Sequence, residues 1–282
     1  LSSADRIWLA LLTQIVISSL AVITLPAFGS GLPNITRNDE ELRQANALFG
    51  SSWGASVFIG SAVGGLFAAT FGRTATFVAD IATFVLCAAL VALIKVPLQE
   101  RNAHAVREPI RPIADMREAL HYAKENSVIF ALMASKTTQA VGAGAVGQLA
   151  VLAIDAFNTG DGGSGLLLAA RGFGAAIGPF IFMRFVRNNM PRMLLLVGVG
   201  GLIWSSFYLV ASASPMLWMA VIAIGAAHIG GGAIWTMASY GLQISTEDHI
   251  RGRVLAGDMG LAMLVTGLSS IVTGILGEIF PI

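Results

Sequence analysis

Four ionisable side chains interrupt otherwise apolar runs of this sequence and mark the positions where its chemistry would take place. They are Asp80, Lys136, Arg171 and His228. A charged side chain costs about 2.5–3.5 kcal/mol at the centre of a membrane helix on insertion scales, so such a residue is a functional candidate by default. An arginine or lysine there could bind an anionic group, and a histidine could exchange a proton because it titrates near neutral pH.

Two interpretations of these residues stay open at the level of the sequence. Lys136 and Arg171 either line a path for a bound molecule or form structural ion pairs and hydrogen bonds with backbone carbonyls. On such a path, Arg171 would hold a planar acceptor with two parallel hydrogen bonds, and Lys136 would act as a point charge. His228 is either a proton site or a neutral buried histidine with a backbone partner. Three glutamines are further polar candidates for ligand contact: Gln14, Gln139 and Gln148.

Several other chemistries lack the residues they need. The four histidines are scattered and the one cysteine, Cys87, lies in an apolar run, so the sequence has neither a metal-binding cluster nor an internal disulfide. No Gly-x-x-x-x-Gly-Lys-Ser/Thr loop occurs, which argues against ATP hydrolysis, and the net charge of +1 indicates no nucleic-acid partner. A membrane-embedded enzyme would need a nucleophile–base set or metal ligands, and neither motif is present. We therefore expect no enzyme and no cofactor.

The elements that must position these residues are expected to be membrane-spanning helices. Hydrophobic residues make up 55% of the 282 positions and charged residues 12%, whereas a soluble domain carries about 25% charged residues. A span needs about 20 mostly apolar residues, and in lipid the backbone of each span must satisfy its own hydrogen bonds. Eight segments qualify: Ile7–Phe28, Ser51–Phe71, Thr74–Ile94, Val128–Ile154, Gly163–Phe185, Met193–Ala213, Pro215–Gln243 and Val254–Phe280. The predicted fold class is an all-α membrane protein with about eight transmembrane helices.

The distribution of Lys and Arg between the loops predicts the orientation of the chain. One set of alternate loops holds 13 Lys and Arg residues, and the opposite set holds only Arg6 and Arg73. Positively charged loops stay in the cytoplasm, so the first set is predicted to be cytoplasmic. We expect the lipid bilayer of a bacterial inner membrane to be the site of this multi-pass protein.

The spans fall into two groups separated by one polar stretch. Residues 1–94 hold three predicted spans and residues 128–282 hold five, with a cytoplasmic linker at residues 95–127. Within the linker, Pro112–Asn126 has a charged face and an apolar face, the latter formed by Ile113, Met116 and Leu120. This pattern predicts a surface helix that lies along the cytoplasmic side.

A shift of 210 positions reveals an internal repeat. It superposes Thr36 on Thr246, Arg43 on Arg253, Gly50 on Gly260 and Gly64 on Gly274. At both places a span ends, a short charged cytoplasmic loop follows, and a glycine-rich span begins. Internal repeats are typical of secondary transporters. A repeat of six helices in each half would place three further helices before Leu1 and one after Ile282, and we expect the sequence to be a fragment.

Four stretches of the sequence resemble the major facilitator superfamily, and within it the exporters related to the enterobactin exporter and the macrolide efflux permeases. The resemblance covers nearly the whole chain, as helices four to eleven of twelve. It rests on Leu32-Pro33-Asn34-Ile35 with Glu41-Leu42 and 45–48, on Phe77-Val78-Ala79-Asp80 with 81–84, on Arg117-Glu118-Ala119-Leu120 with Asn126-Ser127, and on Arg251-Gly252-Arg253-Val254.

One glycine-rich stretch resembles a signature of drug–proton antiporters in this superfamily. Gly60-Ser61-Ala62-Val63-Gly64-Gly65 is similar to their Gly-Pro-x-x-Gly-Gly motif, with Ser61 in place of proline. Small residues also let helices approach closely, so Gly60, Gly64 and Gly65 are expected at a helix interface. The stretch 172–178 has a similar content of glycine and alanine.

The resemblance implies a function and a place for each candidate. It implies a partial major facilitator bundle that works by alternating access as a proton-driven exporter of a small amphipathic molecule, drug-like or siderophore-like. Lys136 and Arg171 would lie on helices beside the central cavity, whereas Asp80, on a peripheral helix, would have a structural role. The alternatives are a membrane-embedded enzyme and a non-transporting scaffold or receptor, and the 210-residue repeat favours a transporter over both.

A cytoplasmic gate is also implied by the resemblance. Asp258, Arg251 and Arg253 form a cluster of charges at one helix end, and Arg43 matches Arg253 in the other half. Such a cluster would hold the two halves together when the transporter is closed to the cytoplasm. The alternative is that these arginines only anchor the topology.

The orientation can be tested with single cysteines in a background that lacks Cys87. We expect a membrane-impermeant thiol reagent to label a cysteine at Thr159 in intact cells and to leave a cysteine at Asn102 unlabelled, since the Lys- and Arg-rich loops stay inside. Lysed cells, in which both positions should react, provide the control. Labelling at 102 with protection at 159 in intact cells would reverse the topology.

Overall fold

The described part of the chain consists mainly of long helices. The computed structural model describes residues 8–9, 12–13, 15–19, 32–33, 36–93, 111–186 and 189–279, and these residues contain no β-strand. Seven helices organise them: α1 (Asp39–Ala92), α2 (Pro112–Glu125), α3 (Ser127–Val141), α4 (Gly160–Val186), α5 (Met190–Ser212), α6 (Leu217–Ser245) and α7 (Asp248–Ile279). Short helical turns at Gly144–Gly147, Leu149–Val151 and Leu152–Ala156 continue α3.

Most of the predicted spans are confirmed as helices long and apolar enough to cross a membrane. Six such helices are found in the described part of the chain: Asp39–Gly64, Ser127–Ala156, Gly162–Val186, Met190–Ser212, Leu217–Ser245 and Asp248–Ile279. The predicted span Thr74–Ile94 corresponds to a shorter apolar helix, Thr74–Leu90. Most of Ile7–Phe28 lies outside the described residues, and the residues of it that are described are helical.

The beginning of α1 differs from the prediction. The predicted span begins at Ser51, but the helix begins at Asp39, so the expected charged loop is mostly helical. The Asn38 side chain accepts a hydrogen bond from the Glu41 backbone N–H at 2.9 Å, and Asp39, Glu40 and Glu41 place negative charge in the first turn. Both features stabilise a helix N-terminus. Hydropathy alone misses this start because the first turns are polar.

Two spans share the single long helix α1 and are separated at one residue. Gly72 has φ 80° and ψ 162°, which interrupts the helix between them. A positive φ is strained for any residue with a Cβ and is readily adopted by glycine. The predicted boundary between Phe71 and Thr74 is therefore confirmed.

The span predicted at Val128–Ile154 is broken in its second half. α3 ends at Val141, and the Ser269 hydroxyl of α7 donates to the Val141 carbonyl and accepts from the Gly144 N–H at 3.0 Å. This side chain supplies hydrogen bonds that the interrupted helix no longer makes, as required in lipid. A Cβ at Gly144 would lie 2.2 Å from the Thr273 hydroxyl, so glycine permits this approach of α7.

Helix α6 occupies the centre of the bundle and contacts α1, α3, α4 and α5. Its inner faces carry small residues, and the neighbouring helices approach at glycines. A Cβ at Gly174 of α4 would lie 2.1 Å from the Gly225 carbonyl of α6, and a Cβ at Gly178 would lie 2.1 Å from the Ile229 carbonyl. The small-residue stretch 172–178 therefore serves close helix packing, as membrane helices require in the absence of a hydrophobic driving force.

The other glycine motif lies on a different face of its helix. On α1, Gly54 contacts α4, since a Cβ there would lie 2.2 Å from the Ala176 backbone nitrogen. No described residue lies within 4 Å of a Cβ built at Gly60 or Gly64. At about 100° per residue, these positions are turned by about 120° and 80° from Gly54. That Gly60, Gly64 and Gly65 pack against another helix therefore stays a prediction.

The helix predicted in the linker corresponds to α2, and its place along the cytoplasmic side stays a prediction. Its contact with the bundle is formed mainly by residues outside the predicted apolar face. Ala119 and Ala123 are buried, whereas Ile113 is 87% exposed and Leu120 is also exposed. Of the three predicted apolar residues, Met116 contacts α7, at Gly260. The glycines of α7 let α2 approach closely enough for alanines, rather than the larger side chains, to form the contact.

The close packing of α4 against α6 predicts a large difference in stability between two glycine substitutions. Gly174→Ala should destabilise the protein strongly, since its Cβ would overlap a backbone carbonyl, and overpacking costs about 1–3 kcal/mol or more. Gly198→Ala is the matched control, because no described atom lies within 4 Å of its new Cβ. Thermal unfolding in detergent, followed by size-exclusion chromatography, measures both. Equal midpoints for the two variants would show that the α4–α6 contact does not limit stability.

Candidate functional site

A buried ion pair connects three helices inside the bundle. The Lys136 Nζ of α3 lies 2.5 Å from Asp258 Oδ2 of α7, and both side chains are 2% exposed. Lys136 also donates to the Ser239 hydroxyl of α6 at 2.9 Å. Since α3, α6 and α7 each contribute one of these groups, the ion pair fixes their relative positions at this level.

The surroundings of the ion pair are only partly polar. The Lys136 Nζ lies 5.0 Å from the ring centroid of Trp235, one helical turn before Ser239. Asp258 Oδ1 is buried and has no hydrogen-bond partner among the described residues. Burying two charges carries a desolvation penalty that their attraction offsets only with good geometry. A carboxylate with one unsatisfied oxygen is therefore costly to keep ionised here.

The structure regroups the predicted charged residues. The sequence grouped Asp258 with Arg251 and Arg253, but Asp258 bonds to Lys136 instead. Five residues turn a helix by about 140°, which places Arg253 and Asp258 on different faces of α7, and seven residues separate Arg251 from Asp258 by about 10 Å. Lys136 and Arg171 belong to different clusters.

The three gate arginines each have other partners. The Arg251 Nη1 donates to Asp248 at 2.8 Å, and the Arg253 Nη1 donates to Glu118 of α2 at 2.9 Å. Arg43 pairs with Glu40 and donates to the Met183 carbonyl of α4. Arg43 therefore connects α1 to α4, and Arg253 connects α7 to α2.

These arginines lie at one end of the bundle, which we call the Arg-rich end. It comprises the starts of α1, α5 and α7 and the end of α4. A cavity of about 480 Å³ opens there. Its lining includes Arg37, Asp39, Val186, Met190 and Arg251. Beside it, the Asn46 amide of α1 donates to the Gln243 side-chain oxygen of α6 at 2.6 Å.

A second polar cluster surrounds Arg171. The guanidinium carbon lies 5.3 Å from the ring centroid of Trp53, across the α1–α4 interface. Arg171 Nε is buried without a hydrogen-bond partner, and no described carboxylate pairs with this side chain. Arg171 also lies close enough to Tyr208 and His228 for electrostatic interaction.

His228 is held by a side chain rather than by the expected backbone group. Its Nε2 lies 3.0 Å from the Tyr208 hydroxyl of α5, and its side chain is buried. The Tyr208 ring in turn lies 4.6 Å from the Trp204 ring, measured between centroids. Trp204 Nε1 and Gln139 Oε1 are both buried and unpartnered among the described atoms. Both side chains lie against Gly231, where a Cβ would be 2.7 Å from Gln139 Nε2.

The remaining candidates lie apart from both clusters. Asp80 is exposed, and no described residue pairs with its carboxylate. Gln148 Nε2 donates to the Thr273 carbonyl at 3.2 Å, and Gln14 lies outside the described residues. Five further residues of the two clusters carry no charge and are not distinguished by the sequence pattern: Trp53, Trp204, Tyr208, Trp235 and Ser239. The spacing of Trp204 and Tyr208, four residues apart on one apolar helix, is the one signal that could have indicated a shared face.

Apolar spanning helices with charges buried between them define a polytopic membrane protein, and comparison with known families gives its class. The family described as transmembrane secretion effector, of the major facilitator superfamily, matches residues 3–281. The chain belongs to this family of membrane transporters. No curated protein and no solved structure matches the chain. The narrower resemblance to the enterobactin exporter and the macrolide permeases stays a prediction.

The buried ion pair predicts a pattern of stabilities in three variants. Lys136→Met and Asp258→Leu alone should each lower stability by about 3–5 kcal/mol, because each leaves one buried charge unpaired. The double variant should recover most of this loss, since two apolar groups then meet. Arg253→Met is the control, as its partly exposed pair contributes about 1 kcal/mol or less.

Unfolding midpoints of the purified variants in one detergent measure these differences. If the double variant unfolded at the temperature of the single variants, the loss would not come from an unpaired charge.

Proposed function

We propose that this transporter is a secondary active exporter, that it works by alternating access, and that a proton gradient drives it through the Lys136–Asp258 pair. The observation that carries the proposal is the pair itself, which is buried and bridges α3 and α7. A proton-driven transporter needs a group that is charged in one conformation and neutral in another. Asp258 fits this need because one of its carboxylate oxygens has no described partner.

Protonation of Asp258 would change the forces that hold the three helices. The neutral carboxyl no longer attracts the Lys136 ammonium, so the contact between α3 and α7 loses its electrostatic component. Lys136 keeps the Ser239 hydroxyl and the Trp235 ring, both on α6. The bundle would then favour a conformation in which α7 has moved relative to α3 and α6. A proton shifts the equilibrium only as far as the two conformations differ in their affinity for it.

The Arg-rich end is our candidate for the gate. In the proposed division into bundles 1–94 and 128–282, Arg43 and Asn46 belong to the first bundle, and their partners Met183 and Gln243 belong to the second. These two contacts join the bundles at this end and would have to break when it opens. Arg251 and Arg253 have partners near this end as well, and they would keep the start of α7 in place.

The excess of Lys and Arg supports a cytoplasmic location for the Arg-rich end and for the linker 95–127. A gate at that end would control access from the cytoplasm, where an exporter takes up its substrate. We propose the bacterial inner membrane as the location and a small amphipathic molecule as the substrate. Drug-like and siderophore-like compounds are the substrate classes that the family resemblance favours.

Proton coupling can be tested in inside-out vesicles from cells that overproduce the protein. We expect an imposed pH gradient to drive accumulation of at least one of two probes, the cation ethidium and the anion 1-anilinonaphthalene-8-sulfonate. A protonophore should abolish it. Asp258→Asn should also abolish it, since the amide cannot exchange a proton.

Glu125→Gln is the matched control, because it neutralises an exposed acid of α2 that lies beside His121, outside the proposed gate. It should retain gradient-driven accumulation at equal protein levels. Wild-type accumulation by Asp258→Asn would remove the ion pair from the coupling mechanism.

A further inference from the structure

Arg171 is a cation in the core of the bundle whose charge no described residue neutralises. Lys136 has Asp258, but neither an ion pair nor a hydrogen bond joins the Arg171 guanidinium to any described residue. Arg171 lies 11 residues after Gly160, the first residue of α4, and is therefore about 16 Å from that end of the helix. A charge at this depth requires a compensating group.

The nearest side chains supply a platform rather than a counter-charge. The Trp53 ring lies over the guanidinium, and Trp53 is 52% exposed. Tyr208 and His228 interact electrostatically with the guanidinium and are joined to each other by a hydrogen bond. Arginine is planar and offers two parallel donors to a carboxylate, sulfonate or phenolate. The exposed part of the tryptophan ring offers a stacking surface for an aromatic group.

We infer that Arg171 and Trp53 form a binding subsite for a substrate that carries an acidic oxygen on a planar aromatic group. The guanidinium binds the acidic group, and the exposed part of the indole stacks on the ring beside it. The inference rests on the proposed function, because the molecule bound at this subsite would be the one that the transporter exports. Binding itself requires neither a proton gradient nor the Lys136–Asp258 pair.

The depth of the site favours a soluble substrate over a lipid headgroup. Phosphate groups of lipids lie at the membrane surface, whereas Arg171 is about 16 Å from the end of its helix. Protein reconstituted in nanodiscs of phosphatidylcholine alone contains no anionic lipid. Binding measured there reports on the added probe.

Three naphthalene probes of matched size test the inference by isothermal titration calorimetry. 1-Naphthoate is an anion, 1-naphthalenemethanol is neutral, and 1-naphthylmethylammonium is a cation. We expect the wild-type protein to bind naphthoate at least tenfold more tightly than the other two. Arg171→Gln should remove this preference, and Arg171→Lys should weaken naphthoate binding about tenfold, because lysine keeps the charge and loses the fork. Trp53→Leu should weaken the binding of all three probes.

Two controls separate this inference from its alternatives. Arg184→Gln removes an exposed arginine of the same helix and should leave the affinity for naphthoate unchanged. Naphthoate binding is measured on the wild type without a pH gradient, so a failure of proton coupling and a failure of the subsite give different results. Each variant is first shown to unfold at a temperature close to that of the wild type.

Equal affinities of the wild type for naphthoate and naphthalenemethanol would overturn the inference. So would the absence of measurable naphthoate binding, or wild-type affinity in Arg171→Gln.

Discussion

The cost of placing charge in a lipid-embedded bundle is the constraint on which this molecule depends. Its helices interact through glycines and alanines, as at Gly174 and Gly178, which position backbones but provide no chemistry. Chemistry comes from the few ionisable groups between them, and each must be paired, neutral or matched by a ligand. Lys136 and Asp258 satisfy this constraint with each other, whereas Arg171 finds no described acid. That difference assigns them different proposed roles: the pair exchanges a proton, and the arginine binds a substrate anion.

The locations of the spans could be predicted from the sequence because hydropathy and length are local properties. Gly72 separated two spans where expected, and α4 to α7 were confirmed within a few residues. Features that depend on neighbours could not be predicted in this way. The early start of α1 depends on the Asn38 cap, and the break in α3 depends on the Ser269 hydroxyl of a helix more than 120 positions away. The residues by which α2 contacts α7 are likewise set by a neighbour, since glycines of α7 admit alanines of α2.

The ionisable residues of the candidate site could be predicted from the sequence, but the contacts between them could not. Ionisable residues within apolar runs identified Lys136, Arg171 and His228, but sequence proximity suggested Arg251 and Arg253 as the partners of Asp258. The helical rotation between residues 253 and 258 already excludes Arg253 as a neighbour on the same face. The choice of Lys136, by contrast, depends on which helices meet. Trp53 had no distinguishing signal, because aromatic residues are ordinary in membrane helices, and the spacing of Trp204 and Tyr208 indicates a shared face but not what that face contacts. Only the fold brings them to Arg171.

In the proposed mechanism, Asp258 gains and loses a proton, and Lys136 is the cation paired with its ionised form. Difference infrared spectroscopy of the reconstituted protein measures this directly, because a protonated carboxyl has a C=O stretching band that the carboxylate lacks. We expect acidification to produce such a band in the wild type, Asp258→Asn to lack it, and Glu125→Gln to retain it. A spectrum of Asp258→Asn identical to that of the wild type would show that Asp258 does not exchange the proton.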